Sequence, residues 1–218
     1  LRVDHDLPQA LLAELRASLA PEAIDIFINP IEGRRKKLLL ADMDSTIVTS
    51  ETLDDMADFA GIKDHVAAIT ARAMNGEIDF HAAIKERVAL LKGLPTDVLD
   101  KTLAHTELSL GAEILVSTMK KFGATCVLVS GGFTFFTSAI AAQVGFDYHH
   151  GNTLGINSGI NNEQLSGEVI PPILDKFAKV EFLEFYTRSL NLSAAQAMTI
   201  GDGANDLPML KAAGLGIG

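Results

Sequence analysis

The chain has 218 residues, 48% of them hydrophobic and 21% charged, which suffices for one buried core with an insertion or a small second unit. A net charge of -10 and a pI near 5.0 disfavour a generic nucleic-acid or anionic-membrane surface. A single cysteine, Cys126, excludes an intrachain disulfide framework, and no apolar run approaches the roughly 18 residues of a membrane helix. With no signal peptide in view, these features predict a cytoplasmic protein with neither nucleic-acid nor membrane partners, and they leave a homo-oligomer open. Residue 1 is Leu, which points to sequence upstream.

Residues 7–19 carry Leu12, Leu15 and Leu19 at helical spacing with Pro21 just beyond, so an amphipathic helix is expected. Residues 23–29 alternate, with Ile24, Ile26 and Ile28 on one side, and predict a strand closed by Pro30 and Gly33. The basic run Arg34-Arg35-Lys36-Lys37 reads as a solvated turn. Residues 1–36 therefore resemble the remnant of a separate module with its linker, and nothing in them suggests chemistry.

The next stretch is K-L-L-L-A-D-M-D-S-T-I-V-T-S, from Lys37 to Ser50. Leu38, Leu39, Leu40 and Ala41 suit a short strand buried on both faces, and polarity switches abruptly at Asp42. Asp42 and Asp44 stand one residue apart at the strand's end. Carboxylates there are costly to desolvate unless a proton or a cation neutralises them, and a hard divalent ion with oxygen ligands is the natural candidate. An Asp-rich turn or helix cap is the plainer alternative.

Four helical stretches follow, over 52–60, 63–75, 79–92 and 96–105; glycines 61, 76 and 93 stop the first three, and Asp79 is placed to cap the third. Inserted directly after a strand that ends in acids, they predict a lid. A helix over 111–122, a strand over 125–129, the segment Ser130-Gly131-Gly132-Phe133 and a further helix to Val144 resume the α/β alternation. A small polar turn between strand and helix can present backbone N–H groups and a hydroxyl to a phosphate, or it can be an ordinary tight turn. The Gly- and Asn-rich stretch 146–169 predicts short strands and turns. His149 and His150 within it face opposite ways and are expected to be exposed rather than metal ligands.

Residues 175–188 form the next expected helix, carrying Lys176 and Lys179. A buried strand over 197–200 then runs into Gly201-Asp202-Gly203-Ala204-Asn205-Asp206. In an open parallel sheet the ligand crevice lies outside the carboxyl ends of the strands, so Asp42, Asp44, Ser130, Asp202 and Asp206 are expected to converge. Three strand ends bearing such groups are hard to explain as capping.

D-M-D-S-T at 42–46, S-G-G at 130–132, a helical Lys179 and G-D-G-A-N-D at 201–206 occur in the order of four motifs, and the chain from Leu38 onward resembles the haloacid dehalogenase-like phosphohydrolases. The lid segments E-T-L-D from Glu51, A-M-N-G around Met74, Phe80, and K-E-R-V-A-L-L-K around Arg87 are similar to those of the phosphoserine phosphatase family. The resemblance implies an α/β fold: a Rossmann-like parallel sheet with helices on both faces over 37–49 and 106–218, plus an inserted helical cap over 50–105. It also implies that part of the sheet's edge lies beyond Gly218, and it leaves the segment 1–36 unmatched.

The chemistry implied is Mg²⁺-dependent hydrolysis of a small-molecule substrate, O-phospho-L-serine, to L-serine through an aspartyl-phosphate, the last step of serine biosynthesis. Asp42 is the expected nucleophile and Asp44 the acid and base. Asp42, Asp202 and the backbone carbonyl of Asp44 are the expected metal ligands. Lys179, Ser130, Gly131 and Asn205 are expected to hold the phosphoryl group. Thr46 and Asp206 are expected to support this set from behind. Glu51 pairs the substrate's amino group, Arg87 its carboxylate, and Met74 and Phe80 supply an apolar wall. Transfer to another acceptor such as homoserine, a different small phosphomonoester, and a receiver-like domain that keeps its aspartyl-phosphate as a signal are the competing readings.

Overall fold

The computed structural model describes residues 7–24, 26, 28, 31–158 and 163–218. The chain divides into two units, Leu1–Arg34 and Arg35–Gly218. In the first, helix α1 (Gln9–Leu19) passes into a single 3₁₀ turn at Ala20–Glu22, and none of its described residues is buried. The expected strand over 23–29 lies partly outside the described residues. Those of its residues that are described, Ala23, Ile24, Ile26 and Ile28, form no strand.

The second unit is built on a six-stranded sheet of order β4-β3-β2-β1-β5-β6. Its strands are β1 (Leu38–Ala41), β2 (Thr125–Phe133), β3 (Tyr148–Ser158), β4 (Glu163–Ile170), β5 (Ala197–Ile200) and β6 (Leu215–Ile217). Only the β3–β4 pair is antiparallel. β1 lies between β2 and β5, with Leu38 to Ala41 in register against Thr125 to Leu128 on one side and Ala197 to Ile200 on the other.

That central position explains its all-apolar sequence. Leu39 and Ala41 pack in one cluster with Val116, Phe136 and Ile140, whereas Leu38 and Leu40 pack in another with Leu183, Tyr186 and Met209. Helices α6 (Ala112–Lys121) and α7 (Thr134–Val144) thus cover one face, and α8 (Lys176–Ser189) and α9 (Leu207–Ala212) the other. Each leucine buried this way contributes roughly 1.5–3 kcal/mol, which makes the carboxyl end of β1 a rigid mount.

Between β1 and β2 run α2 (Thr52–Phe59), α3 (Lys63–Met74), α4 (Phe80–Ala89) and α5 (Asp97–His105). Gly61, Gly76 and Gly93 take positive φ just after three of them, and the Asp79 carboxylate accepts the Ala82 N–H at 2.7 Å to cap α4. Two segments depart from the sequence reading. Ser130-Gly131-Gly132-Phe133 is not a tight turn but the continuation of β2, with its register against β3 broken between Val129 and Phe133. The described residues of 146–169 fall mainly in two long strands, Tyr148–Ser158 and Glu163–Ile170, rather than in several short ones.

Candidate active site

Asp42 is the first residue beyond β1, 6% exposed, its N–H donating to the Ile200 carbonyl at 3.0 Å. One carboxylate oxygen accepts the Met43 N–H at 2.8 Å; the other lies 2.7 Å from Lys179 Nζ. The chain then winds round a single carbonyl: Thr46, Ile47 and Val48 all donate to Met43 O, while Met43, Ile47 and Val48 anchor the loop in the core. This tight winding turns Asp44 back over the strand ends and puts Ser45 at φ +52°.

Lys179 comes from α8, whose start is fixed by the Asp175 carboxylate accepting the Phe177 and Ala178 N–H groups. Lys179 is 2% exposed and bridges two acids, Asp42 at 2.7 Å and Asp206 at 2.6 Å. The other Asp206 oxygen accepts the Gly203 N–H at 3.1 Å. Asp206 can sit there only because residue 201 is glycine: a Cβ on Gly201 would lie 2.4 Å from the Asp206 carboxyl carbon. Asp202 is exposed and accepts the Thr46 hydroxyl at 3.0 Å.

Carboxylate oxygens of Asp42, Asp202 and Asp206 lie within 4.8 Å of one another, and this group can hold a metal ion. Its charge fits one. Burial would depress the Lys179 ammonium, but Asp42 and Asp206 outweigh it and keep its pKa raised. Burial, with Asp206 adding to it, still pushes Asp42 upward against the pull of Lys179. One lysine cannot neutralise three carboxylates, and a divalent cation meets the deficit. Asp44 does not join this group through its side chain. Its carboxylate accepts the Ser130 hydroxyl at 3.1 Å and the Thr52 N–H at 3.0 Å, and burial raises its pKa against those hydrogen bonds.

Ser130 is buried, and its hydroxyl oxygen also accepts the Gly132 N–H at 2.8 Å. From the helices between β1 and β2, Glu51 takes the Ser45 hydroxyl at 2.7 Å; burial raises its pKa, and the charges of Asp44, Asp54 and Asp202 add to that. Arg87 on α4 is half-buried. Burial lowers its pKa, and the charges of Asp54 and Glu51 oppose the shift. The Phe80 ring lies 3.4 Å from where a Gly131 Cβ would stand. Asn205 is exposed on the 201–206 loop.

Met74 is not brought in. It stands 85% exposed at the end of α3. The sequence reading also passed over Gly132, the Thr52 amide and Ser45. Gly132 left a signal in the doubled glycine after Ser130, since a second glycine marks a close approach. The other two left none.

The family model for haloacid dehalogenase-like hydrolases matches residues 39–211. The chain belongs to the haloacid dehalogenase-like hydrolases. Among curated members it is 41% identical to the phosphoserine phosphatase of Archaeoglobus fulgidus, over 97% of this chain and 62% of that one. Among solved structures, a phospho-aspartyl intermediate analogue of a phosphoserine phosphatase superposes with a TM-score of 0.75 at 37% identity, over 83% of this chain and 85% of that chain. A HAD-family hydrolase from Salmonella enterica serovar Typhi does so with a TM-score of 0.84 at 32% identity, over 95% and 70%. The chain spans between 50% and 62% of the length of several curated relatives it matches. Among the described residues of this hydrolase no helix is long and apolar enough to cross a membrane.

Proposed function

We propose that this chain is the catalytic region of a Mg²⁺-dependent phosphatase that hydrolyses O-phospho-L-serine to L-serine and phosphate through an aspartyl-phosphate on Asp42. The observation that carries the proposal is the placement of Asp42: a buried carboxylate at the end of the central strand, 2.7 Å from Lys179, with Asp202 and Asp206 beside it and Asp44 above. The solved phospho-aspartyl analogue of a similar phosphoserine phosphatase supports the same reading.

In the first step a carboxylate oxygen of Asp42 bonds to phosphorus as the bond from phosphorus to the serine oxygen breaks, and Asp44 gives that oxygen its proton. The raised pKa of Asp44 keeps the proton available. In the second step Asp44 takes a proton from the water that attacks phosphorus, inorganic phosphate leaves, and the Asp42 carboxylate is restored. Lys179, the Ser130 hydroxyl, Gly131 and Asn205 hold the charge on the phosphoryl oxygens. Mg²⁺ would be held by Asp42, Asp202 and the Asp44 carbonyl, and it supplies the Lewis acidity that relieves repulsion between carboxylate and phosphate. Asp206, held by Lys179 and the Gly203 N–H, orients the set from behind, and Thr46 steadies Asp202.

Residues 50–105 act as the lid over the core made by 37–49 and 106–218. Glu51 takes the substrate ammonium and Arg87 its carboxylate, a zwitterion match that a phosphate ester without an amino acid lacks. The enzyme works in the cytoplasm on a small molecule.

The test is phosphate release from a panel of phosphomonoesters, with Mg²⁺ and with EDTA, for the wild type and for Asp42→Asn. Phosphoserine should be preferred, and EDTA and the substitution should each abolish release while the circular dichroism spectrum is kept. Full turnover by Asp42→Asn, or indifference to EDTA, defeats the assignment.

A further inference from the structure

Asn152 on β3 is fully buried, yet it belongs to none of the motifs discussed above. Its Nδ2 donates to the Gly131 carbonyl at 2.7 Å and to the Leu174 carbonyl at 3.5 Å, and its Oδ1 accepts the Leu174 N–H at 2.7 Å. Both ends of the amide are engaged, in the one orientation that suits two carbonyls and an N–H.

Gly131 separates Ser130 from Gly132, so it fixes the segment whose hydroxyl reaches Asp44. Leu174 directly precedes Asp175, the residue whose carboxylate caps α8 and thereby sets the height of Lys179. A single buried side chain therefore joins the two segments that deliver Ser130 and Lys179. The first turn of α4 rests on the same two segments: Phe80 lies against Gly131, and His81 Nε2 is 3.2 Å from the Asp175 carboxylate.

We propose that Asn152 is a positioning residue that locks the 130–132 segment and the start of α8 into one frame, so that Ser130 and Lys179 meet the transferring phosphoryl group together. The proposal rests on the phosphatase reading above. No other residue type of this size serves. Aspartate would set a carboxylate oxygen against the Gly131 and Leu174 carbonyls, and leucine would strand the Gly131 carbonyl and the Leu174 N–H without partners. Either change lets the two segments shift independently, and a misplacement of about 1 Å at a reacting centre costs on the order of 100-fold in rate.

The experiment compares kcat and KM of Asn152→Asp and Asn152→Ala with wild type on phosphoserine. The expected result is a kcat lower by about 100-fold with KM within about threefold, because Arg87 stands two turns beyond Phe80 on a helix that Ala83, Ile84 and Val88 also anchor in the core. A general loss of stability would instead lower the active fraction, which active-site titration removes from kcat. A corrected kcat within about threefold of wild type, or a loss confined to KM, overturns the proposal.

Amide exchange in the unaltered protein provides the check that needs no variant to fold. The Leu174 N–H should exchange as slowly as the amides of β1 and β2, and exchange at the rate of an exposed loop overturns the clamp. If the wild type releases phosphate from no monoester, the functional reading fails, while the exchange rate still judges the clamp by itself.

Discussion

Gly132→Ala perturbs the site through one added carbon. A Cβ at residue 132 would stand 2.8 Å from the Asp44 carboxylate and 3.0 Å from the Ser130 hydroxyl, with the Met43 methyl at 3.5 Å behind. The first distance is about 0.6 Å inside the 3.4 Å at which ordinary contact begins, so something must move. Met43 is fully buried, and the Ser130 oxygen is held by the 132 amide at 2.8 Å, so the freer Asp44 carboxylate gives way. Its 3.1 Å hydrogen bond from Ser130 is then lost, and the acid swings off the leaving-group oxygen. General acid–base catalysis supplies about 10²–10⁴-fold, and losing the lower end of that range is about 2.7 kcal/mol of transition-state stabilisation. Overpacking of this kind costs about 1–3 kcal/mol of stability, which for a chain of this size lowers Tm by roughly 2–12 °C. Steady-state phosphate release at saturating phosphoserine, beside a thermal melt, reads both. A kcat within about twofold of wild type in a protein whose Tm has fallen would show that the crowding is real but that Asp44 is not the proton donor.

Lys179→Met should leave Asp42 and Asp206 buried against each other without a cation, at a cost of about 3–5 kcal/mol in urea unfolding with EDTA present; a cost under about 1 kcal/mol would mean that the lysine does not compensate them. Arg87→Ala should raise KM for phosphoserine by roughly 10- to 150-fold, the worth of a charge-assisted hydrogen bond, and should leave O-phosphoethanolamine nearly untouched. Equal losses on the two substrates would count against the carboxylate clamp. Cys126 is fully buried, and burial with the Asp147 charge pushes its thiol up to about 12, so it stays protonated through neutral pH. It should react with a disulfide reagent only as fast as the protein unfolds, and prompt stoichiometric reaction in the native state would contradict that burial.

What the sequence made legible were features whose cause is local. Four consecutive apolar residues ending at Asp42 can hardly be other than a central strand, and glycines 61, 76 and 93 end helices because a positive φ is open to them. The β3 and β4 strands were obscured because their glycines and asparagines mark turns by propensity, and only pairing across the sheet makes them extended. The S-G-G-F segment misled for a related reason: Asn152 holds the Gly131 carbonyl and β3 pairs again at Phe133, and neither partner lies nearby in sequence. Lys179 was legible as a cation on a helix, but its place between two acids depends on Gly201 admitting Asp206, a contact between residues 22 and 27 positions away from the lysine. Met74 was placed by motif alone, and it stands exposed at the end of α3.

The charge count ties the fold to the proposed chemistry. A fold optimised only for stability would not gather Asp42, Asp206 and Lys179 in a nearly dry pocket, because desolvating such a group costs several kcal/mol per ion before the attraction returns any of it. The pocket holds one more carboxylate than a single lysine can pair even before Asp202 is counted, so it is most stable when a cation is bound. The phosphate of the proposed substrate then completes the balance: its negative charge falls between that cation and Lys179, and neither remains unopposed. On this reading substrate and metal favour each other's binding, and Mg²⁺ affinity measured by calorimetry should rise when a phosphate mimic is present. Independent binding of the two would mean that Lys179 serves only Asp42 and Asp206 and that the phosphoryl group is held elsewhere.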